Sequence, residues 1–289
     1  MMLSSSTDIA QTPVAPVENT PDTQAKHVAA KDITDTTTNE LKKPDKSDTV
    51  AMTFNAASWT SQGPRLKNED YSRHGTLSDG KVYAIISDGI GGGPHGEIYS
   101  KIACNHTVKV LKSESFNGEI KDAIEATQDY CLEIMDDVED CGGGATLLVA
   151  LFSADGMIDC AYVGDSRLAI INSHGNFSWE TAPNRKGGHV LASAIGIKNS
   201  EVLTAQVKIE PGSVALLMTD GAWEYLDGNT TSFTQFKSRA ASGEKAFDLA
   251  FWLTNAAGHE GSDNATVVAV SANLSKTESC PVEQGNKDV

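Results

Sequence analysis

The sequence has few of the features that define a secreted or a membrane-spanning protein. It contains 5 cysteines in 289 residues, widely spaced and with no Cys-x-x-Cys pair, which argues against a disulfide framework and a zinc site. No run of about 18 apolar residues predicts a transmembrane helix, and the N-terminus lacks the apolar core of a signal peptide. We therefore expect a cytoplasmic protein with no membrane partner.

Positive charge is also scarce. The chain has 23 Lys and Arg residues against 39 Asp and Glu residues, a formal net charge of −16 and a pI near 4.7. Such a charge repels nucleic acid and anionic surfaces and attracts cations. Nucleic acid is therefore not an expected partner. A net negative charge keeps a protein soluble, and this explains most of the excess of acidic residues. It does not explain where particular carboxylates lie.

Composition divides the chain into three segments. Residues 1–50 contain no aromatic side chain and are rich in Thr, Ser, Asp, Lys and Pro. Such a segment buries too little apolar surface to offset its ordering entropy, so we predict a disordered N-terminal tail. Residues 51–273 have the apolar patterning of a folded catalytic domain, and residues 274–289 are predicted to form a second disordered tail.

The order of predicted elements indicates an α+β fold. Apolar periodicity predicts helices over 97–111, 120–138, 231–240 and 244–257, and short β-prone runs fill most of the remaining domain. Strands and helices do not alternate one for one. This order favours antiparallel sheets with helices packed outside them over a doubly wound parallel sheet.

One stretch organises the chain. The apolar run Val82–Ile86 predicts a buried strand, which leads to Asp88 and then to a cluster of glycines that begins at Gly89. A carboxylate at a strand end is rigidly placed, and glycine lets backbone approach whatever that carboxylate binds. Asp-Gly is also a frequent hairpin dipeptide, so a simple turn is the alternative.

Other carboxylates occupy equivalent places. Asp220 also follows an apolar strand and precedes glycine, and Asp263 directly precedes the last strand. If these strands are neighbours in one antiparallel sheet, Asp88, Asp220 and Asp263 meet at one rim, and Glu69-Asp70 can join them. Clustered carboxylates repel one another unless cations are present. Oxygen ligands alone suit Mg²⁺ or Mn²⁺, and two ions sharing one Asp suit hydrolysis of a phosphate ester.

The chain also carries a family resemblance. Five short blocks occur in a known order: Arg65-x-x-x-Glu69-Asp70; Asp88-Gly89-Ile90-Gly91-Gly92 followed by Gly96-Glu97; Gly144-Ala145-Thr146; Gly164-Asp165-Ser166-Arg167; and Asp220-Gly221-x-Trp223 followed by Asp263-Asn264. In this order, over about residues 54–271, the chain resembles the bacterial branch of the type 2C, metal-dependent protein Ser/Thr phosphatases. The resemblance implies a four-layer α-β-β-α sandwich with two central antiparallel sheets flanked by helices.

The resemblance further implies a set of metal ligands. Asp88 would bridge two Mg²⁺ or Mn²⁺ ions. Asp220 and Asp263 would complete one site, and Glu69 with the main-chain carbonyl of Gly89 would complete the other. A hydroxide between the ions would attack phosphorus directly, with no covalent phosphoenzyme.

Other roles are implied as well. Arg65 would bind the substrate phosphate through a charge-assisted, bidentate contact. Asp70 and Asn264 would orient the ligands without touching an ion. A third, weaker ion in some family members uses Asp220 and an Asp near the Gly-x-Thr block, for which Asp140 is the nearest candidate.

The implied substrate is a phosphoprotein made by an opposing Ser/Thr kinase, and the implied state is a monomer. Pro183 lies where family members often have Asp, and the flap over about 182–200 is short, which suggests an open site and leaves the preferred substrate undefined. Two alternatives remain: a catalytically weak or inactive module that only binds, and a hydrolase of small phosphate esters.

Overall fold

The structure is a computed structural model, and it describes residues 51–91, 95–135 and 142–275. The predicted tails, 1–50 and 274–289, lie outside these ranges except for residues 274 and 275, and their disorder stays a prediction. Asp140, the candidate ligand of a third ion, also lies outside the described residues, as does the end of the helix predicted over 120–138.

Two five-stranded antiparallel sheets form the centre of the described part. The first sheet has the strand order β1 (Met52–Ser61), β12 (Ala265–Leu274), β11 (Val214–Met218), β6 (Arg167–Ile171) and β7 (Phe177–Trp179). The second has the order β10 (Leu203–Lys208), β5 (Met157–Val163), β4 (Leu147–Phe152), β3 (Val82–Asp88) and β2 (Asp70–Thr76). A short separate hairpin consists of β8 (Arg185–Gly187) and β9 (Val190–Leu191).

Helices cover the outer face of each sheet. Helices α1 (Gly96–Leu111) and α2 (Ile120–Met135) pack on the second sheet, and α3 (Asp220–Gly228), α4 (Thr230–Ala241) and α5 (Ala246–Glu260) pack on the first. The layers follow the order α-β-β-α, so the predicted fold class is confirmed. Within the described ranges, no helix is both long enough and apolar enough to cross a bilayer.

The position of the sheets explains why their central strands are apolar throughout. On β3, Ala84 and Ile86 enter the core between the two sheets, while Tyr83 and Ile85 pack beneath α1 and α2. Successive strand residues face opposite sides, and here both sides are covered. A continuous apolar run therefore predicted a strand correctly, and it fixes the position at which β3 ends on Asp88.

The structure contains elements that the sequence analysis did not predict. Strand β10 lies at a sheet edge and has alternating half-buried and exposed residues, a period-2 signal that was present in the sequence. Helix α3 begins directly at Asp220, where the Asp-Gly pair was interpreted only as a strand end. The β8–β9 hairpin lies in the flap, whose sequence has no clear periodicity.

Candidate active site

The predicted site residues meet at one end of the sandwich. A cavity of about 740 Å³ is lined by the predicted residues Arg65, Glu69, Asp88, Gly89, Asp220 and Asp263. The predicted route to this convergence was wrong in one respect, because the strands do not belong to one sheet. Asp88 ends β3 of the second sheet, whereas Asp220 follows β11 and Asp263 precedes β12 in the first. The carboxylates therefore meet across the two sheets.

Backbone pairing fixes the position of Asp88. Strand β2 pairs with β3 so that Asp70 lies opposite Asp88. The Asp88 N–H donates to Thr146 Oγ1 at 2.9 Å, and the Thr146 N–H donates to the Asp88 carbonyl at 2.8 Å. Thr146 Oγ1 also bonds Ser166 Oγ at 2.7 Å. The Gly-x-Thr and Gly-Asp-Ser-Arg blocks thus support the strand end that presents Asp88.

Gly89 is required by close packing, and the hairpin alternative for Asp88-Gly89 is wrong because the next element is helix α1. A Cβ on Gly89 would collide with the Gly96 backbone at the start of α1. The Gly89 N–H donates to the Glu69 carbonyl at 3.0 Å. The same packing brings Glu69 to the cavity, where burial chiefly raises the pKa of its carboxyl.

The central carboxyls are too close to be ionised together without a cation. Asp88 pairs with Asp70 across the β2–β3 ladder, and its carboxyl lies close enough to those of Asp70 and Asp220 for their charges to interact. Burial, reinforced by these neighbours, raises the pKa of Asp88 well above its ordinary value. Burial likewise raises the pKa of Asp70 to about 7 and that of Asp220 to about 6. A shared proton or a bound cation relieves such a cluster.

The donor set fits a hard divalent cation. Asp70 Oδ1 and Asp220 Oδ1 are buried and have no hydrogen-bond partner. A buried carboxylate oxygen without a partner is costly, and an ion coordinated by oxygen would satisfy Asp220. Carboxylates with backbone carbonyls are the ligands that Mg²⁺ and Mn²⁺ take in proteins.

Asp70 and Asn264 lie behind the cavity and contact the residues that line it. Asp70 Oδ2 accepts a hydrogen bond from Thr219 Oγ1 at 2.9 Å, on the residue before Asp220. Asn264 Oδ1 accepts from the Glu69 N–H at 2.9 Å, and its Nδ2 donates to the carbonyls of Gln62 at 2.7 Å and Lys67 at 2.8 Å. These contacts agree with the predicted orienting roles, which stay predictions.

Arg65 and Asp263 are partners in the structure. The Arg65 guanidinium forms an ion pair with Asp263 Oδ2, and its Nε donates to the Ser262 carbonyl at 3.3 Å. Asp263 Oδ1 accepts the backbone N–H of Asn264 at 2.8 Å. The predicted phosphate ligand and a predicted metal ligand therefore interact directly, at a partly exposed edge of the cavity.

A second set of charged residues, not predicted from the sequence, lies beside the cavity. Arg185, on the flap hairpin, donates to Asp165, Asp220 and Glu224, and His189 Nδ1 lies 3.6 Å from Glu224 Oε1. Glu224 follows Asp220 by four residues on α3, a spacing that would have indicated a shared helix face had α3 been predicted. Arg185 had no recognisable signal, because its partners come from distant segments.

The Gly164–Arg167 block contributes packing contacts and also one side chain of the cavity wall. The guanidinium of Arg167 lies 3.6 Å from the centroid of the Trp179 ring, and Trp223 Nε1 donates to the Asp165 carbonyl at 3.0 Å. The Asp165 side chain, however, lines the cavity. Burial raises the pKa of this carboxyl, and the neighbouring Arg185 opposes that rise.

Two antiparallel sheets between helical layers, with carboxylates gathered at one end, define the class to which this protein belongs. The family model described as protein phosphatase 2C matches residues 62–255, so the chain belongs to the protein phosphatase 2C family. The predicted family and enzyme class are thereby confirmed.

Named relatives and solved structures agree with this assignment. The serine/threonine phosphatase stp of Listeria monocytogenes is 26% identical over 238 residues, covering 73% of this chain and 93% of its own. The structure of the S. agalactiae serine/threonine phosphatase aligns with a TM-score of 0.66 at 21% identity, and the alignment covers 76% of this chain and 99% of that chain. The Mycobacterium tuberculosis serine/threonine phosphatase PstP/Ppp aligns with a TM-score of 0.61 at 19% identity, and the alignment covers 75% of this chain and 98% of that chain.

Proposed function

We propose that this protein hydrolyses phosphoserine and phosphothreonine in protein substrates with the help of two divalent cations, Mg²⁺ or Mn²⁺. The observation that carries the proposal is the close group formed by buried Asp70 and half-buried Asp88 and Asp220, whose pKa values are all raised. A cluster of this kind is costly unless it binds cations. Perturbed carboxyls lining a cavity are also typical of functional sites.

Each residue has a defined place in the proposed centre. Asp88 lies centrally and would contact both ions. Glu69 and the Gly89 carbonyl would hold one ion, and Asp220 and Asp263 would hold the other. When bound, the ions would supply a bridging hydroxide as nucleophile and would neutralise charge on the phosphoryl oxygens.

Arg65 is suited to bind the phosphate because its side chain is 43% exposed and lines the cavity. Its present partner, Asp263, is the proposed ligand of an ion. An ion at Asp263 would weaken the Arg65 pair, and the guanidinium would then be available for two phosphate oxygens. Arg65 therefore serves binding and charge neutralisation, while the carboxylates position the ions.

The remaining features of the function are also part of the proposal. The substrate is a phosphoprotein produced by a Ser/Thr kinase, and the enzyme acts as a cytoplasmic monomer. A third, weaker ion would use Asp220 together with Asp140. A short flap would favour an open site, which would suit the extended segment of a protein substrate.

The test is hydrolysis of a phosphothreonine peptide by purified protein with Mn²⁺. We expect activity that chelator removes, and that Asp88→Asn and Asp220→Asn each lower by a factor of at least about 100. Asp129→Asn is the matched control, because Asp129 is exposed on α2 and does not line the active-site cavity. This control should retain full activity.

Two outcomes would contradict the proposal. If calorimetry shows that no divalent cation binds, the chain is a catalytically inactive phosphatase-fold module whose role is to bind a partner. If p-nitrophenyl phosphate and other small esters are hydrolysed but phosphopeptides are not, the enzyme acts on small phosphate esters.

A further inference from the structure

Gln128 joins helix α2 to the segment that precedes β10. Its Oε1 accepts a hydrogen bond from the Gly196 N–H at 2.9 Å, and its Nε2 donates to the Ile197 carbonyl at 2.6 Å. A glutamine amide carries an acceptor and two donors, and here both groups bind the backbone of consecutive residues. The half-buried side chain therefore holds this segment as a neighbouring strand would.

The segment held by Gln128 is the outer part of a short ladder that reaches the candidate site. Ile195 pairs antiparallel with Ala145: the Ile195 N–H donates to the Ala145 carbonyl at 2.8 Å, and the Ala145 N–H donates to the Ile195 carbonyl at 3.1 Å. Ala145 pairs in turn with Gly89, and the next residue, Thr146, donates its N–H to the Asp88 carbonyl at 2.8 Å. We call this set of paired residues the Gly89 ladder.

The Gly89 ladder connects a helix outside the site with two proposed ligands of the cations. Asp88 and the Gly89 carbonyl belong to its inner segment, and Gln128 holds its outer one. Paired segments lie about 4.8 Å apart, so two such spacings place the Ile195 backbone at about 10 Å from that of Gly89. A metal site needs its ligands placed to within about 0.5 Å, so it depends on whatever keeps this ladder in register.

The outer segment is loosely packed on the side of α2. A cavity of about 470 Å³ separates the two elements, and Gln128, Leu132 and Ile195 are among its lining residues. Gly196 packs on the Tyr99 ring of α1, since an added Cβ would lie 2.5 Å from that ring, but a ring face fixes no hydrogen-bond direction. Fewer van der Waals contacts hold a segment beside a void, so the two hydrogen bonds of Gln128 matter more.

We propose that Gln128 is a positioning residue of the metal centre and that it acts on Asp88 and Gly89 through the Gly89 ladder. The inference rests on the proposed function in one respect, that Asp88 and Gly89 hold cations. Gln128 does not line the active-site cavity, so it contacts neither cation nor phosphate in this scheme. Its loss would let Ile195 shift against Ala145, and the inner segment would hold the ligands less firmly.

The first experiment measures hydrogen exchange of the Ala145 and Ile195 amides, which both donate within the ladder, in chelator. Gln128→Met keeps the length of the side chain and removes both hydrogen bonds. We expect these amides to exchange at least about fivefold faster in this variant, because two hydrogen bonds that oppose local opening are lost. Asp129→Asn, an exposed change at the next position of α2, is the matched control and should exchange like wild type.

The second experiment is calorimetric titration with Mn²⁺. Gln128→Met should bind Mn²⁺ about threefold to tenfold more weakly than wild type, as substitutions that act on a site through intervening structure do. Leu132→Ala is the control for stability, because it removes an apolar side chain from the same cavity and no hydrogen-bonding group. It should lower the melting temperature and leave the Mn²⁺ affinity unchanged.

Several results would overturn the positioning role while the metal centre stands. If Gln128→Met exchanges like wild type at Ala145 and Ile195, the role is wrong whatever the affinity. Faster exchange with an unchanged Mn²⁺ affinity would show that the ladder opens without disturbing Asp88. An equal loss of affinity in Leu132→Ala would mean that any loosening of this region weakens the site.

Failure of the proposed function gives a different result. If no Mn²⁺ binds to wild type, the proposed metal centre is wrong, and Gln128 cannot position it. Faster exchange of Gln128→Met in chelator would then still show that Gln128 fastens the Gly89 ladder.

Discussion

Asp70 shows how far a single buried carboxyl depends on its neighbours. It lies opposite Asp88 in the β2–β3 ladder and accepts a hydrogen bond from Thr219. One of its oxygens is buried without a partner. Burial raises the pKa of Asp70 from an ordinary value of 3.8 to about 7, although the hydrogen bonds from Thr266 and Thr219 oppose the rise. Ionisation of Asp70 near neutral pH therefore works against folding when no cation is present.

We predict that Asp70→Asn stabilises the metal-free protein at about pH 7.5. The folded protein binds the Asp70 proton more tightly than the unfolded chain does, so the wild type loses stability as the pH rises from about 4 to about 7. A tenfold change in proton affinity corresponds to about 1.4 kcal/mol, and we expect a gain on the order of 2 kcal/mol. Urea unfolding of wild type and variant in chelator, at about pH 7.5 and at about pH 4, measures this gain in the free energy of unfolding. The difference between the two proteins should disappear near pH 4, so an equal difference at both pH values would contradict the prediction.

At the scale of elements, the site depends on loops fastened by single side chains. Asn264, between Asp263 and the start of β12, bonds backbone groups of Gln62, Lys67 and Glu69. It is 3% exposed, so no water would replace these bonds without rearrangement. One amide thus fixes the segment that carries both Arg65 and Glu69.

Asn264→Ala should therefore loosen the segment over 62–69. The loss of these buried bonds should cost on the order of 2–3 kcal/mol of unfolding free energy. It should also weaken Mn²⁺ binding by about tenfold, as substitution of residues behind metal ligands often does. Urea unfolding and calorimetry provide the measurements. Asn273→Ala, an exposed change on β12, the strand that follows Asn264, is the control, and an equal loss in both variants would contradict the assignment.

The elements also show what a sequence can and cannot predict. The central strands were predictable because both faces are buried, which makes β4 apolar at every position. Asp88 and Asp220 were found because each follows such a strand. Arg185 was not, since its role depends on a flap whose short strands have no periodicity and on partners more than about 20 residues away in sequence. Charged residues that follow apolar strands can be predicted from the sequence, but contacts between side chains on different loops cannot.

At the scale of the molecule, bound ions should link activity to stability. Cations that bind the folded state and not the unfolded chain stabilise it by mass action. We predict that saturating Mn²⁺ at about pH 7.5 raises the melting temperature of wild type by several degrees. At an Mn²⁺ concentration of about 100 times the dissociation constant, the free energy of unfolding should rise by about 3 kcal/mol. Asp88→Asn should melt higher than wild type in chelator and respond little to Mn²⁺. A variant that responds as wild type does would show that Asp88 is not a ligand.

The charge of the whole molecule should select among substrates. The formal net charge is −16, and acidic side chains dominate the cavity wall: Glu69, Asp88, Asp165, Asp220, Glu224, Glu260 and Asp263. A field of one sign raises the local concentration of ligands of the other sign, and salt screens it over about 10 Å at 0.1 M. Two bound divalent ions would neutralise only part of this charge.

Phosphothreonine peptides flanked by Lys or Arg should therefore have a KM several-fold lower than peptides flanked by Asp or Glu. The cause is long-range attraction, so the preference should shrink as salt rises from about 0.05 M to about 0.5 M, while kcat changes little. Glu260→Gln, at the end of α5 and not itself a proposed ligand, should reduce the preference without abolishing activity. A preference that persists in high salt would indicate direct contacts with the flanking residues, and a preference for acidic peptides would mean that the field does not govern substrate choice.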